Sequence, residues 1–118
     1  MIRLELTAIR RWTAGYLCID FEGEPAYDTI DGAWKTKEPY AVVRRMAFDR
    51  AFRGRGLADA TFFRIEALCR DRGVGNIRVD TDFPNLRMQH VLEKNGFARC
   101  GVIVFQGGEK IAYDKTLS

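Results

Sequence analysis

At 118 residues the chain is long enough for one domain of about 100–150 residues and too short for two. Its composition, 47% apolar and 30% charged, is that of a globular protein with one core, which excludes a largely disordered chain and a disulfide-stapled scaffold. A net charge of +3 suits an anionic ligand and does not by itself point to nucleic acid.

No apolar run approaches the ~20 residues that a membrane helix requires, so no membrane partner is expected. The opening Met1-Ile2-Arg3-Leu4-Glu5 alternates apolar and charged residues instead of forming the apolar block of a secretion leader, and the expected location is cytoplasmic. Cys18, Cys69 and Cys100 are far apart and lack CxxC spacing, which predicts buried apolar thiols. With His90 as the single histidine, no metal is expected.

In chain order, Ile2, Leu4 and Leu6 alternate with Arg3, Glu5 and Thr7, the period of a strand with one buried face. Residues 15–21 read as a second strand, able to pair with the first across a connection at 10–14. Residues 22–39 contain Gly23, Pro25 and Gly32 but also Tyr27, Ile30 and Trp34, which predicts an aromatic loop lying over a site or the sheet. Residues 41–48 read as a third strand, closed by a polar turn at 49–56.

From Leu57 the spacing becomes helical: Leu57, Ala60, Phe63, Ile65, Ala67 and Leu68 fall along one side, and Gly73 and Gly75 stop the helix. A short strand at 76–80 follows, then a turn at Phe83-Pro84-Asn85 that caps a helix running to Lys94, with Gly96 as its terminator. Strands at 99–105 and 110–116 flank Gly107-Gly108, a hairpin signal. The expected fold is α/β (α+β): a mixed, mostly antiparallel sheet with a central strand-helix-strand unit and helices on its faces, in one domain over 1–118.

The chemistry-bearing run is the stretch from Arg45 to Ala58, entered by a strand and left by a helix. Amides at a helix N-terminus lack intrahelical partners and take up anions, which suits a diphosphate. Gly54 and Gly56 allow close backbone approach, and Arg53 and Arg55 add positive charge. The Walker pattern GxxxxGK followed by Ser or Thr is not present, and the dinucleotide pattern GxGxxG fails at Asp59. As a bare string, Arg53-Gly54-Arg55-Gly56 is equally a tight turn with solvated arginines, while an RNA-binding arginine–glycine segment would be long and disordered.

The run resembles the acyl-CoA signature of the GNAT superfamily, a strand followed by R/Q-x-x-G-x-G/A and a helix, matched by Arg53, Gly56 and Ala58. Downstream, Asn85 opens a helix that closes in Glu93-Lys94-Asn95-Gly96-Phe97, which resembles the family's second motif, E-K-x-G-F. The resemblance extends over 1–118 and is strongest from 40 to 97. It implies an N-acyltransferase that passes acetyl directly from acetyl-CoA, as co-substrate and without a metal, to an amine. The alternative is a non-catalytic CoA-binding or interaction module completed by dimerisation or a partner chain.

Carried over by position, the resemblance implies that Met46, Ala47 and Phe48 run beside the pantetheine arm, with a backbone N–H nearby for the oxyanion. Arg53, Gly54, Arg55, Gly56, Leu57 and Ala58 would hold the diphosphate, and Asn85 would bond the pantetheine or brace the gap between splayed strands. Leu92 stands where many relatives have a tyrosine that protonates the leaving thiolate, and Asp59 is expected to point away from the phosphates. Glu22, Glu24, Asp80, Asp82 and His90 are weighed as bases and none is assigned; Tyr27 and Trp34 are expected to pack over the sheet. Relatives also carry a strand and two helices ahead of the first hairpin, so the resemblance implies a shortened or split domain, a wall supplied by a second copy or one supplied by another protein, and a homodimer or larger assembly is expected.

Overall fold

The computed structural model describes residues 2–8, 12–48 and 56–118. The alternating start forms β1 (Ile2–Ala8), which pairs antiparallel with β2 (Trp12–Asp20) from Ile2↔Ile19 to Ala8↔Trp12. β2 begins three residues before the predicted start at Gly15 because the hairpin stays paired to its tight end. A 3-10 turn (Pro25–Thr29) and the two-residue β3 (Asp31–Gly32) follow, then β4 (Ala41–Phe48) and α1 (Leu57–Asp71). The chain closes with β5 (Asn76–Asp82), α2 (Leu86–Lys94), β6 (Ala98–Phe105) and β7 (Gly108–Thr116).

The strands form one sheet in the order β1-β2-β4-β5-β7-β6-β3. Every described neighbour pair is antiparallel except β4 and β5, which are parallel and therefore need the crossover that α1 supplies. β5 runs past the predicted Asp80 to Asp82, which faces Lys110 in the register with β7. The final hairpin turns at Gln106-Gly107, both with positive φ (51° and 77°), so Gly108 is already in the strand opposite Phe105.

Both helices lie on one sheet face. Phe62, Ile65 and Cys69 of α1 and Leu92 of α2 join Leu17, Ile19, Val43, Ile77, Val79 and Tyr113 in the larger core. The Phe62 and Phe97 rings meet at 5.1 Å between centroids, tying the first turns of α1 to the end of α2. Each helix ends on a left-handed glycine, Gly73 (φ 70°) and Gly96 (φ 87°), where a bond back to the last turn forms: Val74 N–H to Cys69 O at 2.9 Å and Phe97 N–H to Leu92 O at 3.0 Å.

The opposite face is covered by the segment between β2 and β4, expected as an aromatic loop without regular structure. Tyr27 and the half-buried Ala26, Ile30, Trp34 and Tyr40 pack there on Val42, Ile103 and Ala112, and β3 pairs with β6 through Asp31↔Val102 and Gly32↔Gly101. A Cβ on Gly32 would collide with the Cys100 carbonyl, and one on Gly101 with the Asp31 carbonyl, so this edge pairing requires both glycines. Burying a large side chain such as Tyr27 or Phe62 contributes about 2–3 kcal/mol.

Cys18 and Cys69 are buried, as expected for apolar thiols, while Cys100 is half-buried; all three are free. No described helix is long and apolar enough to cross a membrane, and no group of metal-binding side chains occurs among the described residues.

Candidate active site between the fourth and fifth strands

β4 and β5 pair only at Ala41↔Ile77 and Val42↔Arg78. Beyond these positions the strands diverge, and the edge of β4 that faces β5 has no strand partner among the described residues. On its other edge, β4 remains paired to β2 through Tyr16↔Ala47 and Gly15↔Phe48. A β-bulge interrupts that ladder, because two residues of β4, Arg45 and Met46, lie opposite Leu17 between the Tyr16↔Ala47 and Cys18↔Arg44 pairs. Arg45 has φ 53°, a left-handed conformation rare for a residue with a side chain. Bulges of this kind re-aim strand backbone beside active sites.

The divergence opens a slot of about 250 Å³ through the sheet. Its two mouths differ because side chains alternate along a strand. Val43, Met46, Val79 and Met88 line the slot and belong to or pack on the helix-side core. Asp80, Asp82, Gln106 and Lys110 also line it. Val79 is directed to the helices, so its neighbour Asp80 projects to the other face, where it meets Tyr27 of the covering segment. The helix-side mouth is apolar, and the other, charged mouth also carries Phe105, which packs with the covering segment.

At the charged mouth the Tyr27 hydroxyl donates to Asp80 Oδ1 at 2.6 Å, and the Trp34 indole N–H donates to the Tyr27 carbonyl at 2.9 Å. Burial pushes the Asp80 carboxyl above the ordinary aspartate range, while the Tyr27 hydrogen bond and the charges of Arg44 and Lys110 hold it down. Burial also pushes the Tyr27 phenol up, with the Asp80 charge adding to the effect, so Tyr27 remains a donor. Lys110 pairs with Asp82 across β5 and β7. Glu24 is engaged elsewhere: it caps the 3-10 turn through the Ala26 N–H and pairs with Arg44 at 3.1 Å.

The structure brings together some of the sequence-derived site residues. Met46 is half-buried and lines the slot, Ala47 is exposed beside it, and Phe48 continues the β4 backbone. Asn85 lies across the slot, where its side chain caps α2 by accepting from the Met88 N–H at 3.1 Å. Gly56 is the N-cap of α1 at φ 71°, with no side chain capping the helix among the described residues, and Leu57 and Ala58 open its first turn. Arg53, Gly54 and Arg55 lie outside the described residues. Asp59 is turned towards the end of α2, where it pairs with Lys94 at 3.2 Å and accepts from Asn95 at 3.1 Å. Leu92 is fully buried in the helix-side core, and His90 and Glu22 are exposed away from the slot.

Two features had no signal strong enough to be read from the residues alone. The Arg45 bulge depends on the β2–β4 register, which one sequence does not specify. The Tyr27–Asp80 bond joins residues 53 positions apart, so no local spacing reveals it.

A sheet split at its single described parallel pair, whose two strands are joined by the α1 crossover, defines an acyltransferase-type α/β domain. The profile of the Acetyltransferase (GNAT) family matches residues 10–97, and the chain belongs to that family. Among solved structures, a GNAT-family acetyltransferase of Streptococcus agalactiae is 33% identical with a TM-score of 0.79, over 92% of this chain and 62% of that one. A GNAT-family acetyltransferase of Listeria monocytogenes is 23% identical with a TM-score of 0.70, over 98% and 64%. Aminoglycoside acetyltransferase AAC(6')-Ib in complex with coenzyme A is 24% identical with a TM-score of 0.65, over 92% and 62%. The chain thus spans just under two thirds of the length of these three structures. No curated protein matches it.

Proposed function

We propose that this domain binds acetyl-CoA and transfers its acetyl group directly to an amine. The observation that carries the reading is the slot that opens where β4 and β5 diverge, with α1 following β4 in the chain and showing no side-chain cap at its N-terminus among the described residues. The diphosphate would lie against the first-turn amides at Gly56, Leu57 and Ala58, where the helix dipole and unpaired N–H groups favour an anion. Arg53, Gly54 and Arg55 would complete that cradle. The pantetheine would follow the open edge of β4 past Met46, Ala47 and Phe48, entering from the apolar mouth, with Asn85 on the opposite wall.

The thioester carbonyl would then rest near the bulge at Arg45 and Met46, where a backbone N–H can stabilise the oxyanion. The amine enters from the charged mouth, so donor and acceptor meet within the sheet. Holding two reactants in line provides effective molarities of ~10⁵ M or more, so transfer needs no covalent enzyme intermediate. Calorimetry with acetyl-CoA tests the donor site, and thiol release with added amines tests transfer. Absence of acetyl-CoA binding by the folded protein would remove the reading.

One observation favours the second reading, a CoA-binding module without turnover: Leu92 is buried and offers no proton to the leaving thiolate. Tight acetyl-CoA binding with no thiol release from any amine would select it. We infer further that the protein acts in the cytoplasm and as a homodimer, the latter supported by the exposed apolar side chains of Phe63, Leu86 and Val104. A monomer by light scattering at working concentration would remove the dimer.

A further inference from the structure

Building on the acyl-transfer reading above, we propose that Asp80 is the general base that accepts the proton of the acceptor nitrogen, and that Tyr27 is the residue that positions its carboxylate. Asp80 both lines the slot and projects to the face opposite the helices. Its Oδ1 accepts from Tyr27, and Oδ2 has no hydrogen-bond donor among the described residues. The Tyr27 ring is fixed by Trp34 at 4.9 Å and Tyr40 at 6.1 Å between centroids, so the hydroxyl reaches Asp80 from a rigid support.

The remaining carboxylates are excluded by their contacts. Glu24 is held by Arg44, Asp82 is paired with Lys110, and Glu22 is exposed away from the slot. The charged groups acting on Asp80 come from three elements: Glu24 beside the 3-10 turn, Arg44 of β4 and Lys110 of β7. Arg44 and Lys110 favour the ionised form of Asp80, while burial and the Glu24 charge raise its basicity.

In the step itself, the lone pair of a neutral primary amine attacks the thioester carbon and forms the N–C bond. The C–S bond breaks with its electron pair going to sulfur. The proton lost by nitrogen passes to Asp80 and on to solvent, and the thiolate takes one proton from solvent. Amine and thioester thereby become amide and CoA thiol, with Asp80 regenerated. The substrate class is a primary amine.

The test measures CoA thiol release from acetyl-CoA across pH, with spermidine, kanamycin and a lysine-containing peptide as acceptors and acetyl-CoA affinity measured in parallel. Wild type is expected to lose kcat/KM as pH falls. Asp80→Asn is expected to keep acetyl-CoA affinity and lose about 10²–10⁴-fold in kcat. Tyr27→Phe removes a bond that favours the carboxylate, so its acidic limb should move to higher pH, a shift that a purely structural tyrosine would not produce. Asp80→Glu, which retains a carboxylate, should recover part of the rate if Asp80→Asn folds poorly. Turnover by Asp80→Asn within a few-fold of wild type, or an unmoved limb in Tyr27→Phe, would overturn the proposal. So would wild type that binds acetyl-CoA and acetylates none of the three amines, leaving the donor site standing. Wild type that fails to bind acetyl-CoA would instead defeat the acyl-transfer reading itself.

Discussion

The guanidinium carbon of Arg78 lies 3.8 Å from the centroid of the Tyr40 ring, and the Trp34 ring sits 4.3 Å away. Arg78 also forms the last ladder pair before β4 and β5 part, opposite Val42. The cation is 5% exposed, donates to the Thr36 carbonyl at 2.9 Å and to Asn76 Oδ1 at 3.4 Å, and so ties the covering segment to the apex of the slot.

Arg78→Ala should therefore destabilise the fold by about 2–3 kcal/mol, from the lost stacking and charge-assisted bonds. Urea unfolding measures this. Arg78→Lys should recover little, because an ammonium lacks the planar face that stacks on both rings. Recovery of full stability by lysine would show that charge alone holds the segment.

Gly56 has φ 71°, and a Cβ there meets nothing within 4 Å among the described residues. Gly56→Val should cost stability only through backbone strain, about 1–2 kcal/mol, while Gly56→Asn should cost less because asparagine tolerates the left-handed region. If bare backbone faces the diphosphate, both variants should weaken CoA binding by about 10–100-fold, the equivalent of one charge-assisted bond. Calorimetry on the folded variants checks this, and unchanged affinity would place the diphosphate elsewhere.

Burial raises the folded-state pKa of Asp80 above its unfolded value. Both states bind the proton well below the unfolded pKa, so Asp80 is neutral to stability there. As pH rises through that value and then through the folded pKa, the folded protein must ionise a buried acid, and Asp80 becomes destabilising. Asp80→Asn should accordingly be more stable than wild type at pH 7, with the difference vanishing in acid. Thermal melts at both pH values measure it; a variant less stable at pH 7 would contradict the shift.

Burial pushes the Cys69 thiol up to about 11, and burial together with a hydrogen bond to Asp114 pushes Cys100 up to about 11. At pH 8 about one thiol in 10³ is then ionised, so iodoacetamide should modify both far more slowly in the native protein than after unfolding. Mass spectrometry of timed samples shows the rates. Labelling of native Cys69 at the unfolded rate would mean that the α1 core opens readily.

The elements with strong local periodicity were legible without coordinates. Leu57 to Asp71 forms the expected helix, ended by a left-handed glycine as Gly96 ends α2. The face it buries is Thr61, Phe62, Ile65 and Cys69, while Ala60, Phe63 and Ala67 of the predicted side are exposed, because the sheet and not the count of apolar residues selects the buried face. The strands of both hairpins followed from alternation and from the turn at Gly107. The segment between β2 and β4 was legible only as unusually aromatic. Its 3-10 turn, its added strand β3 and its seat on the sheet come from contacts with β5, β6 and β7, which are distant in sequence.

By itself, the order of residues determined the strand and helix sequence apart from β3 and the 3-10 turn, the glycine at the head of α1 and the family, because each depends on neighbours within one or two turns of chain. The tertiary structure decided where β4 and β5 separate, that Arg45 bulges, and that Tyr27 meets Asp80. These features arise where strands and loops remote in sequence are brought to ångström distance, and neither the register nor the depth of burial that controls them is encoded in any local pattern.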